Sequence, residues 1–281
     1  MAISPSLPSV GTLARSYRTV FISDVHLGSR GCKAECLLHF LQHVEADRLY
    51  LVGDIVDGWQ LKKRWFWPDS HAEILKRLVG LARAGTEVIY LPGNHDEELR
   101  KYLGRRVAGV RVVHDVIHET ADGRRLLVVH GDVFDTIVRD MKWLALAGSL
   151  AYDLALKLNG AFNLSRHWLG LRYWSLSGWL KDQVKAAVNF VEGFERSLAA
   201  EARRRNLAGV VCGHVHKPVM RKIDGVTYLN DGDWVENCTA LVEHRDGRLE
   251  LLGWGQLFGL YPEAVRVMPS PAGRGKTAIA T

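Results

Sequence analysis

Five short apolar runs, each ending in a small polar cluster, constrain this chain more than any other feature. Thr19 to Ile22, Leu49 to Val52, Val88 to Leu91, Leu126 to Val129 and Val210 to Val211 carry apolar side chains toward both faces. Strands of that kind belong inside a sheet covered by helices. Helix-spaced apolar residues over Cys32 to Glu45 and Ala72 to Arg83 lie between the first strands, as a layered α/β architecture requires. After Val219 the pattern changes to hairpin-like pieces, Val226 to Leu229, Ala240 to Glu243 and Leu249 to Leu252, separated by Gly and Asp turns. That change predicts a second, more antiparallel sheet.

The polar clusters are SDVH at Ser23 to His26, GDIVD at Gly53 to Asp57, GNHD at Gly93 to Asp96, HGD at His130 to Asp132, and GHVH at Gly213 to His216. Open α/β sheets bind ligands beyond the carboxyl ends of their strands, so residues far apart in sequence converge there. Carboxylates, imidazoles and an amide oxygen, with no thiolate among them, suit Mn, Fe or Zn. One carboxylate, such as that of Asp54, has two oxygens and can bridge two ions. Metals ~3.5 to 4 Å apart hold a shared hydroxide and clamp phosphoryl oxygens during in-line displacement. A single strand-end Asp or His is ordinary, but Asp24, His26, Asp54, Asn94, His130, His214 and His216 at successive strand ends have no packing rationale.

The 281 residues, 47% apolar and 24% charged, describe a compact globular chain whose length an α/β fold commonly holds as one domain. The formal charge of +6 favours polyanions only weakly. Residues 1–16 and 263–281, rich in Ser, Pro and Gly, are expected to be flexible ends flanking a domain at 17–262. The segment 136–206 is helical in pattern and interrupts the strand alternation, so it reads as an inserted cap. GRGKT near the C-terminus lacks a preceding strand and has Ser270 where a phosphate loop needs Gly. Cys32, Cys36, Cys212 and Cys238 read as buried reduced thiols. The N-terminal segment has no apolar signal core and no run is long enough to cross a bilayer, which predicts a cytoplasmic protein.

The ordered set DVH, GDIVD, GNHD, HGD and GHVH, spanning residues 20 to 216, resembles the calcineurin-like metallophosphoesterases. The resemblance implies a four-layer αββα sandwich and two divalent metals. Asp24, His26, Asp54 and His216 would hold one, and Asp54, Asn94, His130 and His214 the other. It further implies that His95 acts beside Asn94 as transition-state stabiliser or general acid, with Asp96 orienting its ring. A closer resemblance, carried by FISDVHLG, YLPGNHD, GHVHKP and the GDW at Gly232 to Trp234, is to the UDP-2,3-diacylglucosamine hydrolases of lipid A synthesis. It implies Mn-dependent release of UMP and a diacylated glucosamine 1-phosphate at the cytoplasmic face of the inner membrane.

The cap holds Trp143, Trp168, Trp174 and Trp179, with seven Lys or Arg against three Asp over residues 136 to 186, and so suits an amphiphilic phosphate as well as plain packing on the sheet. Ser177, Lys181 and Lys185 recur at one-turn spacing and could share a face toward a phosphate or sugar; a solvated basic face is the alternative. Asn94, His95 and His214 would also contact substrate. The chain departs from that subfamily at His95, where Arg is usual. A second departure follows HGD: the subfamily's acid falls at Val138, with Asp140 two residues on. Another nucleotide or phospholipid therefore stands as the alternative substrate, and a non-catalytic scaffold as a third reading. Nucleic acid is not expected, because no basic stripe with interleaved aromatics runs along a groove. Trp65, Phe66 and Trp67 beside Lys62, Lys63 and Arg64 read either as local packing or as a membrane contact.

Overall fold

The computed structural model describes residues 15–134 and 176–257, with only the backbone course given for 176–189 and 256–257. The apolar runs become the central strands of two sheets. In the first, β1 (Arg15–Ile22), β2 (Val44–Leu51), β3 (Glu87–Tyr90) and β5 (Val110–Val112) run parallel. The short β4 (Arg106–Val107) closes one edge, and β11 (Thr239–Glu243) with β12 (Leu249–Gly253) extends the other, all antiparallel to their neighbours. The second sheet has the order β6 (Val116–Glu119), β7 (Arg125–Val128), β8 (Gly209–Cys212), β10 (Val226–Asn230), β9 (Val219–Ile223). The hairpin-like pieces after Val219 thus divide. The first, β10, joins the second sheet with β9 at its edge, whereas β11 and β12 cross to the free edge of β1, because β11 finds there a neighbour for its own five buried residues.

Strand alternation sorts the side chains into layers. Phe21, Tyr50, Ile89, Val128, Val211 and Leu229 fill the space between the sheets. Their neighbours Val20, Ile22, Leu49, Leu51 and Val88 face outward onto α1 (Ala34–His43) and α3 (Asp69–Arg83), through Leu37, Phe40, Ile74 and Leu78. On the far side, Leu127, Val129, Val210 and Tyr228 meet Phe194, Leu198 and Ala202 of the long helix α4 (Leu176–Arg204). This is the four-layer αββα architecture. The C-terminal half of α4 forms its outer layer, so those residues, placed in the inserted cap on sequence, pack as part of the sandwich. β1 begins at Arg15, within the segment read as a flexible end. Asp140, Trp143, Trp168, Trp174 and the tail at 263–281 lie outside the described residues.

A buried polar knot ties the two sheets together. His118 on β6 faces Glu243 on β11 at 2.9 Å, and Glu243 also accepts from Thr19 Oγ1 at 2.8 Å and from Arg18 at 2.7 Å. Burial works to raise the Glu243 carboxyl, but His118, the Ala121 amide, Thr19 and Arg18 bring it down to about 2.

Candidate metal centre

All five polar clusters emerge at one end of the sheets, and the loops that carry them brace each other. The amides of Asp24 and His26 donate to the carbonyls of Gly53 and Asp54 at 3.0 and 2.9 Å, so the first two loops run side by side past the strand ends. Asp24, His26, Asp54, His214 and His216 all have positive φ, between 50° and 71°. For residues other than Gly this is a sparsely populated region that persists where the surroundings over-determine it.

The expected ligands converge as two trios. Ligand atoms of Asp24, His26 and His216 lie within 4.8 Å of one another, and so do those of Asp54, His130 and His214. His216 Nε2 lies 3.0 Å from Asp24 Oδ1, and His130 Nε2 lies 3.5 Å from Asp54 Oδ1. Asp54 reaches toward both groups, with Oδ2 3.9 Å from His26 Nε2. Backbone comes so close that side chains are excluded behind the centre. A Cβ on Gly93 would fall 2.3 Å from Asp54 Oδ1, and one on Gly213 would fall 2.4 Å from Asp24 Oδ2.

Second partners fix which ring nitrogen faces inward. His130 Nδ1 donates to the Val52 carbonyl at 2.8 Å, and His26 Nδ1 donates to Asp57 at 3.3 Å, so each presents Nε2 to the cluster. Asp54 Oδ2, Asn94 Oδ1 and His130 Nε2 are buried without a hydrogen bond among the described residues. Buried polar atoms are ordinarily paired, and such atoms on three of the ligand-bearing loops, two of them within one trio, fit divalent cations.

The electrostatics agree. Burial opposes charge throughout, yet His216 and His26 hold the Asp24 carboxyl well below its usual range, and His130 lowers that of Asp54. Burial would lower His26 and His130, but carboxylates around them, chiefly Asp24 and Asp57 for His26 and Asp54 for His130, raise both to about 10. The site is thus a compact array of charged donors in which a cation can take the place of the imidazole protons.

His95 is held on four sides. Its amide donates to Asp54 Oδ1 at 2.8 Å, its carbonyl accepts from Gly58 at 2.9 Å, and its Nδ1 donates to Asp57 Oδ1 at 3.0 Å. The Trp59 indole covers its face at 4.2 Å between ring centroids. The orienting acid is therefore Asp57, not Asp96. Asp96 points the other way, accepting from Gly93 N at 2.6 Å, Ile55 N at 2.8 Å and the Tyr90 hydroxyl at 2.5 Å. Asp96 shapes the loops, and Asp57, which also caps the helix α2 (Gly58–Lys63) through Gln60 N, holds both His26 and His95.

A second acid missed on sequence lies behind Asp24. Burial raises the Asp231 carboxyl well above its usual range. The Ser23 hydroxyl lies between the two acids, with Asp231 Oδ1 accepting from its Oγ at 2.7 Å and Asp24 Oδ2 at 2.6 Å. The NDGDW stretch after β10 is the signal that could have found it. Ser177, Lys181 and Lys185 fall on α4 where only the backbone is described, so their side chains have no stated relation to this centre.

The calcineurin-like phosphoesterase sequence profile matches residues 17–218. The chain belongs to that family. Its members are metal-dependent phosphoester hydrolases by class, and the donor set just described fits the divalent ions that the fold implies. Among curated proteins, the chain is 27% identical to a UDP-2,3-diacylglucosamine hydrolase of Stenotrophomonas maltophilia over 84% of this chain and 96% of the relative. A Chromohalobacter salexigens protein of the same name is 25% identical over 77% of this chain and 88% of its own length. The DNA polymerase II small subunit of Methanothermobacter thermautotrophicus is 26% identical over 81% of this chain, which spans about half (49%) of that relative.

Proposed function

We propose that the chain hydrolyses the pyrophosphate of UDP-2,3-diacylglucosamine, with two Mn ions, to UMP and 2,3-diacylglucosamine 1-phosphate. The observation that carries the chemistry is the pair of ligand trios, with Asp54 of the second reaching to 3.9 Å from His26 of the first. Support for the substrate comes from relatives of that name, aligned over nearly their whole length. When bound, the two cations supply a nucleophilic hydroxide and charge neutralisation at phosphorus. Asp24, His26 and His216 would hold one, and His130, His214 and Asn94 the other, with Asp54 between them.

The remaining residues orient and move protons. Asp57 fixes the His95 ring with Nδ1–H toward itself and Nε2 toward the centre, 3.9 Å from Asp54 Oδ2. Proton donation from Nε2 to a leaving oxygen therefore requires the imidazolium, whose Nδ1 proton stays on Asp57's side. Trp59 shields one ring face from water. Such a substrate resides in a membrane leaflet, so this reading puts the protein at the cytoplasmic face of the inner membrane. No helix among the described residues is long and apolar enough to cross one.

A second reading, hydrolysis of another nucleotide or phospholipid, is favoured by His95 itself. An Asp57-bound imidazolium is a proton donor suited to a poorer leaving group than a sugar 1-phosphate. The deciding experiment supplies the purified chain with UDP-2,3-diacylglucosamine and Mn and follows UMP. Release of UMP is expected. Its absence with Mn, Fe and Zn alike, alongside turnover of another phosphorylated lipid or nucleotide, establishes the second reading instead.

A further inference from the structure

The loop that follows α2 departs from the usual burial of aromatic residues. Trp65 is 74% exposed, the most exposed large apolar side chain among the described residues. Its neighbours are not loose. Phe66 and Trp67 both pack edge-on against the buried His71, at 5.7 and 5.6 Å between centroids. His71 Nδ1 in turn accepts from the Gly28 amide at 3.0 Å, two residues beyond His26. The loop is thereby fastened to the first metal-bearing loop, and only the Trp65 indole projects from it.

Cations precede that indole in the chain. Lys63 and Arg64 are exposed and make no ion pair among the described residues, whereas Lys62 is matched by Glu98 at 2.7 Å. The Arg30 guanidinium lies over the Phe66 ring at 4.7 Å, bringing a third positive group to the loop. Trp59, partly exposed, lies at the start of the same α2 helix and covers His95.

We infer that the Lys63–Trp65 turn is a docking point for an anionic phospholipid surface. An indole on a pinned backbone, flanked by uncompensated cations, has the amphipathic shape that sits at the headgroup level, the cations meeting lipid phosphates while the ring enters the acyl boundary. Single-stranded nucleic acid is the less suitable partner, since it needs successive stacking platforms along a groove, and here two of the three aromatics are turned inward. The inference deepens the reading of a membrane-resident substrate. Docking here brings the mouth of the metal centre, lined by Trp59 and His95, to the leaflet.

The test is co-sedimentation of the full chain with vesicles of phosphatidylcholine alone or mixed with phosphatidylglycerol. Binding is expected only with phosphatidylglycerol present, and it should weaken with added salt. Trp65→Ala should lower partitioning roughly tenfold, and Lys63→Ala and Arg64→Ala about fivefold each. The unfolding midpoint should stay unchanged, because all three side chains are exposed. Wild-type protein that ignores the mixed vesicles, or variants that bind them as wild type does, overturns the proposal. Trp65-dependent capture of a single-stranded oligonucleotide without vesicle binding overturns it in favour of nucleic acid. Vesicle binding that persists in a protein releasing no UMP supports the docking surface and counts against the substrate reading alone.

Discussion

Asp57 divides its two carboxylate oxygens between His95 and His26: Oδ1 accepts from the first at 3.0 Å and Oδ2 from the second at 3.3 Å. One side chain thus sets the angle of a candidate proton donor and of a metal ligand together. Asp57→Asn should lower kcat by about 10–100-fold and weaken metal binding by a similar factor. His95→Ala should lower kcat and leave metal content unchanged. Combining the two should cost much less than the product of the single effects, as a double-mutant cycle on kcat will show.

Asp54 is the carboxylate placed between the trios, so its loss removes a donor from both. Asp54→Ala should eliminate tightly bound metal, measured as metal-to-protein ratio after dialysis, and with it all hydrolysis. His216→Ala and His130→Ala should each lose one ion per chain. Retention of two ions by Asp54→Ala would show that the trios are independent sites.

Metal affinity should depend on pH. Both His26 and His130 are raised to about 10 by the carboxylates around them. Their protonated forms stabilise the metal-free fold fully below the free imidazole value of 6.5, and that contribution is lost as pH rises through about 10. Cations must displace those protons, so apparent affinity should climb steadily from pH 6.5 toward 10. Calorimetry in buffers of different ionisation enthalpy should detect protons released on Mn binding near neutral pH.

Glu243 governs acid stability. Its carboxyl falls from 4.5 to about 2 in the folded protein, so its contribution is complete above 4.5 and disappears as pH drops toward 2. That contribution is on the order of 3 kcal/mol. Glu243→Gln should lower denaturant stability at neutral pH and flatten the acid limb of the stability profile, leaving metal content intact because the knot with His118 involves none of the metal-centre residues.

Gly93→Ala tests the close approach of backbone to the ligands. The added methyl would lie 2.3 Å from Asp54 Oδ1 and 2.6 Å from His130 Nε2. Metal binding should fail although the strands around it remain folded, as circular dichroism will show.

The ligands were legible in the sequence because each follows a run of buried strand residues, and topology gathers such ends. Asp57 was harder. It sits three residues after Asp54, and its direction is decided by the turn into α2, where it serves as helix cap. Asp96 adjoins His95 in sequence, but the 3₁₀ turn at Glu97–Tyr102 begins there and sends its carboxylate back toward Tyr90 and Gly93. The antiparallel character of β11 and β12 was readable, and the sheet they join was not. Alternating strands dock equally well on either free edge until the neighbouring strand is known. The NDGDW turn signalled a bend, and only the folded structure reveals that Asp231 inside it is buried and shares the Ser23 hydroxyl with Asp24.

Five side chains of the metal centre stand on left-handed backbone. Each such residue carries a penalty of roughly 1 kcal/mol or more, so five together rival the whole net stability of an ordinary domain. The centre is therefore a standing load on the fold, and mutation relieves it by an easy route. Glycine at Asp24 or His214 would relax the chain while emptying the site. A lineage that ceased to use the metals would have no reason to carry that load, and glycine or asparagine at these five positions would be its expected mark.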